Sequence, residues 1–455
     1  MAGGGFSVEN KPVTSFKIGG KLTFSIIISC IVVASSGILF GYDLGVSGGV
    51  TTMVPFLQKF FPDILRKAAG GSINGGAANI VMLILGRLLL GLGVGFTNQA
   101  APLYLSEIAP PKWRGTIGTS FQFFLGIGVV AANCINYVTA KHTWGWRLSL
   151  GLAVLPAAVM TIGAFLITDT PSSLVERGKI DQARKALSKV RGNSIDIETE
   201  LEELIKWTEI TKSVKQEPFK TILKRKYRPQ LVMAFAIPLF QQLSGINVVA
   251  FYSPNLFQSV GMGHEGALIS AIILGVVNLT SIFISASIVD RFGRRFLFIT
   301  GGILMFVYLI AVSIVLAVVS GVHGTNGVSK GNALLVLVLL CFYAAGFGWS
   351  WGPLTWLIPS EIFPVNIRST GQSIAIGVQF ILTFVLSQTF LTMLCHFKFG
   401  AFVFYAFWVV VMTLFIIFFL PETKGISLES MYTIWGKHWF WSRFVKGEDD
   451  QENQS

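Results

Sequence analysis

SEIAPPKWRG, residues 106–115, returns as SEIFPVNIRS at residues 360–369. Each copy sets a glutamate seven residues ahead of an arginine, Glu107 before Arg114 and Glu361 before Arg368, and the two glutamates lie 254 residues apart. A second echo follows: DTPSSLVE at 169–176 answers PETKGISLE at 421–429, with Asp169 and Glu422 separated by 253. Both pairs stand at the ends of long apolar runs. A membrane chain whose halves repeat in the same order is organised as membrane transporters are, about an axis along the bilayer normal.

Composition carries the same reading outward. The 455 residues are 52% hydrophobic and only 13% charged, about half the charged fraction of an ordinary soluble chain. Mean hydropathy is +0.65. Such a chain has too little polar surface to meet water everywhere, so lipid must cover the rest. Four cysteines without a CxxC spacing argue against a disulfide framework or a zinc site. The polar, glycine-rich first 20 residues do not read as a secretory leader. The net charge of +12 is read as positive-inside loop bias rather than as a nucleic-acid surface.

Ten stretches are long and apolar enough to cross a bilayer: 22–45, 78–104, 116–138, 146–167, 230–256, 266–289, 295–319, 333–358, 370–393 and 399–420. The chain therefore divides into a tail (1–21), a first bundle of four spans (22–168), a polar loop region (169–229), a second bundle of six spans (230–420) and a closing tail (421–455) whose last residues, 446–455, are polar. Leu201, Leu204 and Ile205 in the loop region have the spacing of a short amphipathic surface helix. Lys11, Lys17 and Lys21, Lys112 and Arg114, the loop region, Arg291, Arg294 and Arg295, Arg368 and Lys424 all fall on one side of the membrane if the N-terminus is cytoplasmic. Arg66 and Lys67 then fall outside.

The repeat has a gap. Phe40 in FGYDLGVSGG aligns with Phe240 in FQQLSGIN, 200 residues on, whereas the later motifs are offset by 254. The first half is thus 54 residues short between Phe40 and Glu107, the length of about two membrane helices, and it has no counterpart of the basic loop DRFGRR at 290–295. Losing two spans keeps the later topology unchanged. The expected fold is all-α and polytopic, two parallel-repeat helix bundles of four and six spans.

The motifs FGYDLGVSGGV (40–50), GRLLLGLGVGF (86–96), PLYLSEIAPPKWRG (102–115), QQLSGINVVAFYSP (241–254), DRFGRR (290–295), GWSWGPLTWLIPSEIFP (348–364) and PETKG (421–425) together resemble the plant sugar transport proteins. These are proton–hexose symporters in the sugar porter branch of the major facilitator superfamily. The resemblance covers nearly the whole chain. It implies a twelve-helix ancestor of which the second and third helices are absent here.

The residues that could carry chemistry are few. Asp43 stands in an apolar span, and an intramembrane carboxylate signals function by default. Burial raises a carboxylate pKa and a nearby cation lowers it, so a balanced group can bind and release a proton. Arg87 is a lone base in the next span and needs a counter-ion. The resemblance makes Asp43 and Arg87 the proton-coupling pair; the alternatives are a permanent ion pair or a helix-end carboxylate near water for Asp43, and an arginine held by backbone carbonyls for Arg87. Gly41, Gly45 and Gly49, and again Gly91 and Gly95, have the spacing of close helix packing.

Gln241, Gln242 and Asn247 are buried-span amides around Gly245, where the helix is expected to bend. A carboxamide both donates and accepts, as sugar hydroxyls do; the alternative is hydrogen bonding between helices. The resemblance adds Gln122, Asn278 and Trp356 to the sugar site, and Gln379 where the family has an asparagine. It also implies a cytoplasmic latch built from Glu107, Arg114, Asp290, Arg291, Arg294, Glu361 and Arg368; the alternative is a solvated fringe. With the first-half basic loop gone, half of that latch lacks its partner and weaker closure is expected. Cys395 resembles half of the family's extracellular disulfide, and its partner falls in the missing stretch, so a free thiol is expected. His142, His264, His323, His396 and His438 do not read as a metal set.

The expected function is proton-coupled monosaccharide symport by alternating access, with glucose, protons and the bilayer as partners, no cofactor and no nucleic acid, in a monomer at the plasma membrane with both termini cytoplasmic. No nucleophile–base pair, phosphate loop or metal cluster points to an enzyme. A truncated chain that transports nothing and a sugar sensor remain as other readings.

Overall fold

The computed structural model describes residues 23–50, 80–110, 113–191, 197–213, 218–259, 263–320, 330–397, 399–424 and 431–445. Among them every regular element is a helix. Ten are long and apolar enough to cross a membrane, and we number them α1 (Phe24–Ser47), α2 (Leu85–Ile108), α3 (Arg114–Thr139), α4 (Gly145–Gly163), α5 (Arg225–Ala250), α6 (His264–Phe292), α7 (Arg294–Val318), α8 (Gly331–Ile362), α9 (Ile367–Phe390) and α10 (Gly400–Phe419). The ten spans read from the sequence are the ten helices observed. The chain is a multi-pass membrane protein.

Three spans are broken where their sequence dictates. At Ser35, between Phe24–Ala34 and Ser36–Val50, the hydroxyls of Ser35 and Ser36 donate to the carbonyls of Val32 and Val33 at 2.6 and 2.7 Å; such back-bonding loosens a helix. In α5, Gly245 has φ of +86°, a conformation that L side chains avoid. A Cβ there would run into the Tyr405 ring. Tyr343 fixes the break by donating its hydroxyl to the Ser244 carbonyl at 2.8 Å. The bend expected at Gly245 is therefore present. In α8 the helix is interrupted at Ser350, between Lys330–Trp349 and Trp351–Ile362.

The second bundle has one large core running from Ile222 to Trp441. The first bundle has two smaller ones, one around Phe121 and Leu105 and one around Trp146 and Val46. Gly37, Gly41 and Gly45 of α1 press against the backbone of α3 at Phe121, Leu125 and Val129, leaving no room for a Cβ. That is the close packing expected of Gly41 and Gly45; the surroundings of Gly49 lie outside the described residues. The expectation fails for Gly91 and Gly95. A Cβ on either, or on Gly93, would meet none of the described residues within 4 Å. On the same helix Leu85, Leu88, Leu89, Leu92 and Phe96 are exposed. This half is two spans short, and α2 turns a small-residue face and an apolar face outward with no described helix against them.

The halves meet along α3 and α6, where Asn133 donates to the Ala271 carbonyl at 3.4 Å and Thr116 to the Ala286 carbonyl at 2.9 Å. They also meet where Gln99 of α2 donates to Ser373 of α9. In the loop region Pro171–Glu176, Ile180–Arg191 and Ile197–Ser213 pack around Leu174, Leu187 and Leu201. Thr23 ties the start of α1 to this layer, donating to the Val190 carbonyl at 2.6 Å.

Candidate functional site

A central chamber lies between the halves. It holds about 750 Å³ of atom-free space, its open mouth included. Six of the seven amide and indole side chains assigned to a sugar site line it: Gln122, Gln241, Asn247, Asn278, Trp356 and Gln379. They come from α3, α5, α6, α8 and α9, so no single helix builds the site. The break at Gly245 sets Gln241 and Asn247 on one wall although the regular helical period would part them.

Gln242 is the exception. It is not among the lining residues. It is buried, and its Oε1 accepts from Nδ2 of Asn247 at 3.0 Å. It stands one layer back and holds Asn247 in orientation. Oε1 of Gln122 and of Gln241 are buried without a hydrogen-bond partner. Buried amide oxygens are rarely left so, and these two belong to the chamber wall, where a hydroxyl-bearing ligand would satisfy them.

Trp356 is 4% exposed. Its ring meets Phe121 edge-on at 5.1 Å between centroids and Phe40 at 6.4 Å, so a second-half tryptophan is seated on first-half aromatics. Asn133 and Phe40 also line the chamber, and the sequence reading missed both. Asn133 was within reach: it follows Gln122 by eleven residues, three helical turns, and so shares its face.

Asp43 and Arg87 form an ion pair in direct contact between α1 and α2. Both are largely shielded, and Nε and Nη2 of Arg87 are buried without partners. Asp43 adjoins Leu44 and is one turn from Phe40, two residues of the chamber wall. The helix that carries Asp43 therefore also forms part of the wall.

At the far end of the bundle Asp290 does three things. It accepts from the backbone N–H groups of Gly115 and Thr116 at 3.1 and 2.8 Å, capping α3 of the other half. It accepts from the Thr116 hydroxyl at 3.1 Å, and it pairs with Arg294 at 3.1 Å. Arg294 also pairs with buried Glu361 at 2.9 Å. Glu107 lies by Thr170 and within reach of the Arg368 charge, and Arg368 donates to the Phe363 carbonyl at 3.3 Å. Arg114 is buried at the start of α3. Arg291 stands apart: its side chain is exposed, 5.9 Å from the Phe292 ring, and Lys424 donates to its carbonyl. The side chain of Cys395 lies outside the described residues, as do His323 and Lys112. Among the described residues no cluster of metal-ligating side chains occurs.

The chain belongs to the sugar transporter family: the family model "Sugar (and other) transporter" matches residues 67–435. It is 53% identical to "Sugar transport protein 5" of Arabidopsis thaliana, over 98% of this chain and 99% of that one. That alignment spans 504 columns against a chain of 455 residues, so the relative carries residues that this chain lacks. Among solved structures it resembles the proton:xylose symporter XylE bound to 6-bromo-6-deoxy-D-glucose, with a TM-score of 0.74 at 24% identity, covering 90% of this chain and 99% of that one. Against the inward open conformation of the E. coli xylose transporter XylE the TM-score is 0.58 at 25% identity, covering 90% and 89%.

Proposed function

We propose that the protein is a proton-coupled monosaccharide symporter, carrying a hexose such as glucose by alternating access. The observation that carries this reading is the seating of the Asp43–Arg87 pair on α1, the helix that brings Phe40 and Leu44 to the wall of the amide-lined chamber. A sugar presents hydroxyls that donate and accept. Gln122, Gln241, Asn247, Asn278 and Gln379 offer both functions, and Trp356 offers the ring an apolar face. Protonation of Asp43 removes the charge that holds Arg87, so α1 can shift and carry Phe40 and Leu44 toward the sugar. Deprotonation on the other side restores the pair and opens the wall. Proton and sugar then move together because one helix serves both.

The joined latch at Asp290, Arg294 and Glu361 supports a resting state closed on the cytoplasmic side. In the same reading Glu107, Arg114 and Arg368 complete the cytoplasmic closure, and Arg291 stays outside it. The chain acts as a monomer in the plasma membrane, with both termini cytoplasmic and the proton as the one coupling ion.

Two observations favour a second reading. The open glycine face of α2 and the shortened first half are what a non-transporting family member would retain, either as a sugar-binding sensor or as an inactive chain. Uptake of radiolabelled glucose in yeast lacking its own hexose transporters, with and without a protonophore, tests both. Uptake that the protonophore abolishes supports symport. Surface expression with sugar binding but no uptake replaces it with the sensor. Retention and degradation replace it with the inactive chain.

A further inference from the structure

Seven cations surround the junction of the loop region, α5 and the C-terminal segment: Lys220, Lys224, Arg225, Lys226, Arg228, Lys437 and Arg443. Neither described segment here, 218–230 or 431–445, contains an aspartate or glutamate. Positive-inside bias alone would bring basic residues to this end. It would not gather three guanidiniums about one ring. Arg225, Arg228 and Arg443 stand 5.9, 6.0 and 5.7 Å from the centroid of Phe444.

The ring attracts each of them, but the three charges repel one another, and none of the three is ion-paired among the described residues. Arg225 donates to the Arg443 carbonyl at 3.2 Å, which brings the two segments together rather than neutralising either. Glu422, a carboxylate at this end of the bundle, is occupied by the backbone N–H groups of Arg294, Arg295, Thr423 and Lys424.

The height of the cluster is fixed as well. Trp439 and Trp441 donate their indole N–H to the carbonyls of Phe418 and Phe419, the last two residues of α10, at 3.1 and 2.8 Å. Arg225 and Arg228 stand at the start of α5. The cations therefore sit where hydrocarbon gives way to headgroups. Three apolar side chains are exposed beside them: Trp439 at 69%, Phe219 at 65% and Leu223 at 65%. Exposed tryptophan with basic residues at the edge of a span has the chemistry of an interfacial anchor, and a cluster of four to eight cations at this depth matches anionic headgroups.

We infer that this surface binds anionic phospholipid of the cytoplasmic leaflet, the headgroup phosphate lying among Arg225, Arg228 and Arg443 and the acyl chain against Trp439. The leaflet follows from the orientation proposed above; the binding does not depend on transport.

Full-length protein in phosphatidylcholine nanodiscs carrying 20 mol% of lipid brominated on its acyl chains, either phosphatidylserine or phosphatidylcholine, tests this. Quenching of Trp439 is read as the difference between wild type and Trp439→Phe. Brominated phosphatidylserine should quench roughly threefold more than brominated phosphatidylcholine, and raising NaCl to 0.5 M should remove most of the preference. The triple variant Arg225→Gln, Arg228→Gln, Arg443→Gln should bring the two lipids level, while the triple lysine variant keeps the preference. Equal quenching in the wild type at low salt overturns the inference and leaves the patch to an acidic protein segment. A preference indifferent to salt overturns it without recourse to any variant.

Discussion

The two bundles differ in density and in chemistry. Gly301 and Gly302 of α7 are filled against by Ser350 and Thr413, whereas Gly91, Gly93 and Gly95 of α2 have none of the described residues against them. The six-span half has one continuous core and supplies Gln241, Asn247, Asn278, Trp356 and Gln379 to the chamber. The four-span half has divided cores and supplies Gln122, Asn133 and the charged pair Asp43–Arg87. The lesson is one of placement. The glycine face of α2 has no described neighbour, while α1 packs on α3 and α3 on α6. Those contacts frame the chamber, which is why a shortened half can still hold a charge pair beside the chamber wall.

The largest effect that would sharpen this contrast is on coupling. Asp43→Asn should abolish accumulation of sugar against a gradient while leaving binding measurable, because it removes the charge without removing a wall residue. Unchanged accumulation in an uptake assay would show that the thin half does not couple. Next comes the latch. Glu361→Gln leaves Arg294 buried with less than its full counter-charge, and breaking a buried pair costs about 3–5 kcal/mol. A thermal-shift assay should register a large drop, with the balance of conformations moving toward the inward-facing state.

The glycine contrast is testable within one half. Gly41→Leu forces α1 from α3 and should cost about 1–3 kcal/mol as an overpacked contact. Gly91→Leu points into open space and should stay within about 0.5 kcal/mol. Similar losses for both would mean that something packs on α2. Within the dense half, Asn247→Ala and Gln242→Ala should each weaken sugar binding roughly tenfold, with a double variant no worse than either alone, since Gln242 acts through Asn247. Additive losses in a binding titration would place Gln242 in direct contact with sugar.

The smallest effect lies at the opposite rim. Lys141 and Glu265 pair across the halves at 3.0 Å, both well exposed. Glu265 raises the Lys141 pKa. The pair's contribution is therefore in place below the ordinary lysine pKa and fades only as pH rises through the raised value. Lys141→Gln should not change the melting temperature measurably anywhere between pH 5 and 8.

Much of this was legible in the residues because a bilayer leaves the chain few options. Runs of apolar residues named all ten helices, and the Glu107–Glu361 echo exposed the shortened half. The break at Gly245 was legible because that position in an apolar span is flanked by amides. The open face at Gly91 and Gly95 was not. A GxxxG spacing states that close packing is possible, and only the neighbouring helices decide whether it occurs. Gln242 reads the same as Gln241 in sequence; the helix break decides which faces the chamber. Arg291 carries the same charge as Arg294, but the left-handed turn at Gly293, with φ of +93°, separates their directions.

The central claim is that a four-span half still drives a coupled cycle. Purified protein in liposomes, given an imposed inward proton gradient and labelled glucose, tests it most directly. The account predicts an internal sugar concentration that rises above the external one and falls back when a protonophore is added. Entry that stops at equality and ignores the gradient, or no entry at all into vesicles shown to contain folded protein, would contradict it.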